Sequence, residues 1–473
     1  MATRRKPDGT APEIAATGSL TPSLWQRTRD RVDHVARDSP ARLALAVFAI
    51  IILGMTALLQ LPIATSSGER APFIDALFTA TSSVCVTGLV TVETAVYWSP
   101  VGQFFIAIGM MVGGLGVMTL ASILGMAVSR HIGLTRKFLA ATETHARLGE
   151  VGSLIRAVVV VSLTAQTLLF FVLTPFFLKE GEPLLTSLWH AFFMAASIFN
   201  NGGFVIMPEG LGPHLGDWTL TVPIMLGTFV GAIGFPVILD MWRNKRMAHR
   251  WNLTTKVSLI TYGALFIVGV CAFALLEWGN SDTLGSLPIA DRLNASLLHS
   301  ATARSSGLST LDVSQMNETT WFILDALMFV GGGSASAAGG IKVTTLAVLV
   351  LAIIAEARGD RDTEAFGRRL PPDVLRLAIA ATFLGASMVG IGTLALLQIT
   401  DLPLSHVLFE VISAFATCGL STGITPDLPV AAKWVLVLLM FAGRTGTMTL
   451  AAALALRMRR RVIRLPEERP VIG

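Results

Sequence analysis

Apolar residues in this chain fall into eight long blocks, roughly 42–63, 101–128, 157–178, 219–242, 257–276, 320–357, 374–398 and 430–456, separated by more polar stretches. Each block reaches the ~20 residues that a helix needs to cross the hydrocarbon core of a bilayer. None alternates as a membrane strand does, and helices or closed barrels are the only spanning structures that satisfy their own backbone. The pattern therefore predicts an all-α membrane protein with eight transmembrane helices. Composition agrees: 53% of residues are hydrophobic and 14% charged, where soluble chains carry about 25% charged residues. Residues 1–40 are polar and basic, without the apolar core of a secretory signal. Cys85, Cys271 and Cys418 show neither metal-ligand spacing nor a disulfide framework.

The net charge is +5, and its placement excludes nucleic acid as the partner. Most of the 36 Lys and Arg residues lie before the first block, after the second, fourth and sixth, and in the tail. The alternate loops hold few, among them Arg70, Lys179, Arg292 and Lys433. The positive-inside rule then places both termini in the cytoplasm and makes the span count even. The basic loops face anionic membrane lipid. Trp98, Trp189, Trp218, Trp278, Trp321 and Trp434 fall near the outer span ends, as an aromatic belt would. These features fix topology and leave function open.

The outer segments carry the specific information. Each holds a short, half-apolar stretch ending in Gly and then Leu or Phe: ALFTATSSVCVTGL (76–89), HAFFMAASIFNNGGF (190–204), LLHSATARSSGL (297–308) and VLFEVISAFATCGL (407–420). Gly88, Gly203, Gly307 and Gly419 recur at intervals of about 110 residues, the mark of internal duplication. Ten residues before each glycine stands Phe78, Phe193, Leu297 or Phe409, and six before it Ser82, Ser197, Ala301 or Ser413. The expected units are an N-terminal basic arm (1–41), repeats 42–128, 152–242, 256–357 and 374–457, and a tail (458–473). Each repeat reads as M1, pore loop, M2, and the four pseudo-repeats surround one central pore.

Stretches of ~12–15 apolar residues fit re-entrant elements better than full spans. Irregular backbone at membrane depth persists only where protein buries it or a watery path runs beside it. Short helices aimed at a common axis would present partly negative C-terminal ends. A following glycine frees the backbone angles, and carbonyls can then replace the hydration shell of a cation. The candidate ion-binding residues are Cys85, Val86, Thr87 and Gly88; Asn200, Asn201, Gly202 and Gly203; Arg304, Ser305, Ser306 and Gly307; and Ala416, Thr417, Cys418 and Gly419. A helix-capping or packing role for the glycines is the competing reading.

VCVTGL, FNNGGF, ARSSGLST and FATCGLSTGIT resemble the four pore-loop motifs of the Trk/Ktr/HKT superfamily of potassium transporters, and the resemblance covers about residues 42–457. Eight spans without an extra N-terminal pair favour the Ktr membrane subunit over the ten-span Trk type. The resemblance implies potassium as the transported ion, with sodium the alternative, and no enzymatic activity. It implies a homodimer in the plasma (inner) membrane, seated on a cytosolic ring of nucleotide-binding regulatory subunits of the KtrA/TrkA kind; nucleotide is expected only there. In plant relatives a serine at the first filter position accompanies sodium selectivity, and here that position is Gly88. The second motif departs from the common Asn-Asn-Ala-Gly by carrying Gly202.

Two features lie outside the glycine motifs. The sixth block is interrupted by GGGSASAAGGIK, where Gly331, Gly332, Gly333, Ser334, Ala335, Ser336, Ala337, Ala338, Gly339 and Gly340 precede Lys342. Each Gly costs ~1 kcal/mol in a helix, so a broken helix is expected, with a small-residue packing face as the alternative. The resemblance implies an intramembrane gate loop here. Arg444, in FAGRTGTMTL, falls deep in the last block, and a charge at that depth is a functional candidate. It could pair with Asp325, with Glu410 or with carbonyls of the 331–340 loop; the resemblance implies an energy barrier beside the pore. The GGLG motif at 113–116 and Gly227, Gly231 and Gly234 read as helix packing. His190, His299 and His406 are spread one per repeat, which argues against metal ligation. Outer acids, including Asp75 and Asp427, read mostly as solvated. A secondary transporter with broken helices would pair its repeats by twos, and an intramembrane enzyme lacks a matched Ser/His or Asp pair.

Overall fold

The structure is a computed structural model that describes residues 40–116, 151–245 and 247–456. The expected N-terminal arm, the tail and the second block beyond residue 116 lie outside the described residues. Helices α1 (Pro40–Leu59), α2 (Phe73–Cys85) and α3 (Pro100–Gly114) come first. They are followed by α4 (Val151–Lys179), α5 (Leu184–Asn200), α6 (Trp218–Ile233) and α7 (Phe235–Asn244). Next come α8 (Leu253–Glu277), α9 (Ile289–Thr302), α10 (Glu318–Phe329) and α11 (Val343–Arg358). A small hairpin, β1 (Glu364–Ala365) with β2 (Arg368–Arg369), leads to α12 (Pro372–Ile399), α13 (Leu404–Ala416) and α14 (Val430–Leu456). Among the described residues, 156–179, 253–277 and 372–399 are helical stretches long and apolar enough to cross a membrane by themselves.

The short helices α2, α5, α9 and α13 are the most deeply buried elements. Each starts directly after a proline: Pro72, Pro183, Pro288 and Pro403. Proline fixes φ and gives up only an amide that a first turn leaves unpaired. Three of them end at a left-handed residue, Val86, Asn201 or Thr417, whose amide bonds back into the last turn. The fourth, α9, ends at Ala303 in right-handed conformation.

Packing runs in a cycle: α3 lies on α5, α6 on α9, α10 on α13, and α14 on α2. The closing contact is reinforced by an ion pair at 3.4 Å between Lys433 and Asp75. Asp75, expected to be solvated, is therefore largely enclosed against the last helix. The aromatic belt is partial: Trp218, Trp278 and Trp434 are exposed, but Trp98 and Trp321 are buried in the core.

The fourth apolar block was expected as one span, and it breaks. Helices α6 and α7 meet at 94° across Gly234, whose φ of +103° no ordinary residue adopts easily. Phe235 and Pro236 then start α7, so the sequence Gly-Phe-Pro is a stop followed by a start. Midway along α7, Asp240 accepts from Asn252 N at 2.8 Å and Thr255 Oγ1 at 2.6 Å, fixing α7 to the start of α8. The sixth block breaks where its glycines are, between Phe329 and Val343.

Candidate functional site

The turns after α2, α5, α9 and α13 meet. A Cβ on Gly88 would lie 2.9 Å from both Gly202 O and Gly203 Cα; one on Gly203 would lie 2.5 Å from Ser306 O. A Cβ on Gly307 would lie 2.5 Å from Cys418 O, and one on Gly419 would overlap Thr87 O. The contacts run 88, 203, 307, 419 and back to 88, so the four turns close one ring. All four glycines have positive φ, at 95°, 73°, 60° and 99° in chain order. Carbonyl oxygens of residues 87, 202, 306 and 418 lie against the neighbouring glycines and leave no room for a side chain.

Three turns carry an internal strut from the serine six residues before the glycine. Ser82 Oγ accepts from Gly88 N at 3.0 Å and Ser413 Oγ from Gly419 N at 3.1 Å, while Ser197 Oγ donates to Phe204 O at 2.8 Å. The third turn has Ala301 there; Ser306 N and Gly307 N donate instead to Thr302 O at 3.0 and 3.1 Å, and two further bonds come from outside. Cys418 Sγ donates to Ala303 O at 3.0 Å, and Thr228 Oγ1 donates to Ser306 Oγ at 3.3 Å. The Arg304 side chain points away from the glycines onto Tyr262. Asn200 Nδ2 donates to Ala196 O at 2.8 Å. Beyond Gly419, the fully buried Glu410 accepts from Ser421 and, at 3.0 Å, from Thr425 Oγ1, strapping the outgoing chain.

One polar side chain in each turn stays buried without a hydrogen-bond partner among the described residues: Thr87, Asn201, Ser305 and Thr417. Buried polar groups are seldom left unpaired. Four of them, one per turn around one ring, fit a site that a hydrated or partly dehydrated ion completes.

The 331–340 loop lies against this ring. A Cβ on Gly339 would overlap Thr417 Oγ1, and one on Gly331 would stand 3.6 Å from Arg304 O. The loop is also stitched to the break at Gly234: Gly333 N donates to Ala232 O at 2.7 Å, Ala337 N to Gly231 O at 3.1 Å, and Phe235 N to Ala335 O at 3.1 Å. Ser336 Oγ donates to Gly333 O at 2.8 Å, and Ser334 pairs with Thr344. Lys342 Nζ donates to Ala338 O at 2.7 Å and to Gly339 O at 3.4 Å. Arg444, 4% exposed, donates to Ala337 O through one Nη and to Gly113 O at 2.6 Å through the other. Of the partners open to Arg444 from sequence, a loop carbonyl, Ala337 O, is engaged, while Glu410 Oε1 accepts from Ser421 and Thr425.

Glycine packing also accounts for the inner faces of α3 and α6. A Cβ on Gly113 would overlap Val84 O, and one on Gly231 would overlap Phe199 O. Sequence reading missed the serine struts, the four prolines and the Tyr262 contact. The serines were available as register-matched residues and the prolines as one per repeat without a fixed offset; the last joins positions that no local pattern connects.

A bundle built on four buried glycine turns that close on one another belongs, by comparison with known proteins, to the membrane proteins that transport cations. The chain matches the TrkH family, described as cation transport protein, over residues 11–460, and it belongs to that family. It is 35% identical to the Ktr system potassium uptake protein D of Bacillus subtilis (92% of this chain, 97% of the relative). It is 35% identical to protein B of the same system and species (90% and 95%), and 33% identical to the potassium/sodium uptake protein NtpJ of Enterococcus hirae (92% and 98%). The fold is that of the crystal structure of the potassium transporter TrkH from Vibrio parahaemolyticus, with a TM-score of 0.66 at 17% identity over 87% of this chain and 84% of that one.

Proposed function

We propose that this chain is the membrane subunit of a potassium uptake system and that its ring of glycine turns is the selectivity filter. Eight spans in four repeats (42–128, 152–242, 256–357 and 374–457) would surround one pore, with both termini in the cytoplasm. An ion would shed water at carbonyls of the 85–88, 200–203, 304–307 and 416–419 segments. It would then meet the 331–340 loop, held shut by Arg444 and Lys342, as a gate. The names of the Bacillus subtilis relatives support potassium as the cargo and a multi-component system. We place regulation on a cytosolic nucleotide-binding ring beneath a homodimer.

The observation that carries this reading is the closed ring, with one unpartnered polar side chain in each of its turns. The name of the Enterococcus hirae relative favours sodium as a second permeant ion. Potassium uptake in a deficient bacterial host, together with bi-ionic potentials for potassium and sodium, separates the two. Gly88→Ser should lower the potassium-over-sodium preference, because its side chain would press on Gly202 O and Gly203 Cα at a positive φ. An unchanged preference at normal membrane levels rules out the filter assignment.

A further inference from the structure

We infer that Arg304 is a positioning residue that holds the third filter segment by clamping it to Tyr262, and that this clamp helps set ion preference. The inference rests on the filter reading above. Arg304 is among the largest side chains buried without exposure. Its guanidinium carbon stands 3.6 Å from the Tyr262 ring centroid. One Nη donates to Tyr262 O at 2.8 Å, and Nε donates to Ser300 O at 3.4 Å. A planar cation stacked on an aromatic face while donating in its own plane is a geometry that arginine fills and lysine does not.

The third segment is held differently from the others: Gly307 N donates to Thr302 O at 3.1 Å rather than to a serine hydroxyl. It has Ala301 in place of the serine strut, and its helix ends at the right-handed Ala303 rather than at a left-handed cap. Tyr262 is itself fixed. It packs edge-on against Phe229 with centroids 4.7 Å apart, and it shares a buried cluster with Ala232, Ala338 and Val343. Ala338 belongs to the 331–340 loop, so one residue of α8 anchors both the third filter segment and the loop beside it. The clamp uses the ring face and the main-chain oxygen of Tyr262; its hydroxyl makes no hydrogen bond among the described residues.

The test compares Arg304→Gln, Arg304→Lys, Tyr262→Leu, Tyr262→Phe and the Arg304→Gln/Tyr262→Leu pair in the full-length chain. The readout is potassium-over-sodium preference in uptake, with membrane levels followed by a fluorescent fusion. Arg304→Gln and Tyr262→Leu should each lower the preference, by up to about thirtyfold where the whole of a desolvated cation–π contact is expressed in it. Arg304→Lys should rescue part of this, and Tyr262→Phe should match the wild type. The paired variant should be no worse than Arg304→Gln, which already removes the ring contact along with the bonds to Tyr262 O and Ser300 O. Wild-type preference in Arg304→Gln, equal damage from Tyr262→Phe and Tyr262→Leu, or an additive pair would each overturn the clamp. Should Arg304→Gln fail to reach the membrane, wild-type preference in both Arg304→Lys and Tyr262→Leu overturns it. Gly88→Ser, measured alongside, separates the layers. A shift there with none at Arg304 removes the clamp alone, and no shift at either site removes the filter and the clamp together.

Discussion

Replacing Arg444 tests whether the 331–340 loop is tethered or merely shadowed by a charge. The guanidinium bridges Ala337 O on the loop and Gly113 O on α3. Of these two bonds, the one to Ala337 O is the one that ties the loop, because Gly113 belongs to a helix packed on α2 and α5. A hydrogen bond to a charged group contributes about 1.5–3 kcal/mol. Losing it should raise the ratio of displaced to seated loop by ~10- to 150-fold. Arg444→Gln is too short to span both carbonyls and carries no charge. Arg444→Lys keeps the charge but offers one compact donor group in place of a fork. Initial rates of potassium or rubidium uptake, measured across concentration, separate maximal rate from apparent affinity. With a tether, both variants should raise the maximal rate, by about tenfold where loop opening limits flux. A raised rate in Arg444→Gln with wild-type behaviour in Arg444→Lys would assign the effect to charge instead. No rise in Arg444→Gln, at normal membrane abundance, would refute the tether.

Alanine at Gly419 should damage uptake and ion preference more than alanine at Gly88, because its Cβ overlaps Thr87 O whereas that of Gly88 stops at 2.9 Å from Gly202 O; parallel uptake assays rank the two. Shortening the 331–340 loop should raise flux, and unchanged rates would count against a gate there. Glu277 accepts from Thr283 Oγ1 at 2.5 Å, Asn280 Nδ2 at 2.7 Å, Asn317 N at 2.9 Å and Thr320. Glu277→Ala should therefore cost about 2–4 kcal/mol, from several stranded donors. This should appear as a lower unfolding temperature of the purified protein in detergent, with Glu277→Gln affected less.

The helical blocks and the glycine turns were legible because each rests on a local signal, either a run of apolar residues or a residue that alone tolerates a given φ. The break in the sixth block was legible for the same reason: ten small residues cannot sustain a helix. The break at Gly234 was missed because the apolar run continues through it, although Pro236 marks a new helix start. The serine struts were visible only as small residues in register; that Ser82 and Ser413 reach the glycine amides depends on how the chain turns after the helix. Contacts such as Asp75 with Lys433, or Arg304 with Tyr262, join distant positions and depend on the closed packing cycle, which no sequence period encodes. Trp98 shows the opposite error. Its position near a span end suggested the interface, yet tertiary packing buries it.

Helix α7 is tied at its start to Ala335 of the loop through Phe235 N and at mid-length to the start of α8 through Asp240. It is therefore a rigid rod about 15 Å long with one tip seated in the 331–340 segment. A push applied at the turn between α7 and α8 would reach that segment directly, without passing along α10 or α11. Two stretches far apart in the chain are thereby joined, and a shift of the 331–340 segment that keeps these bonds carries the end of the second repeat with it.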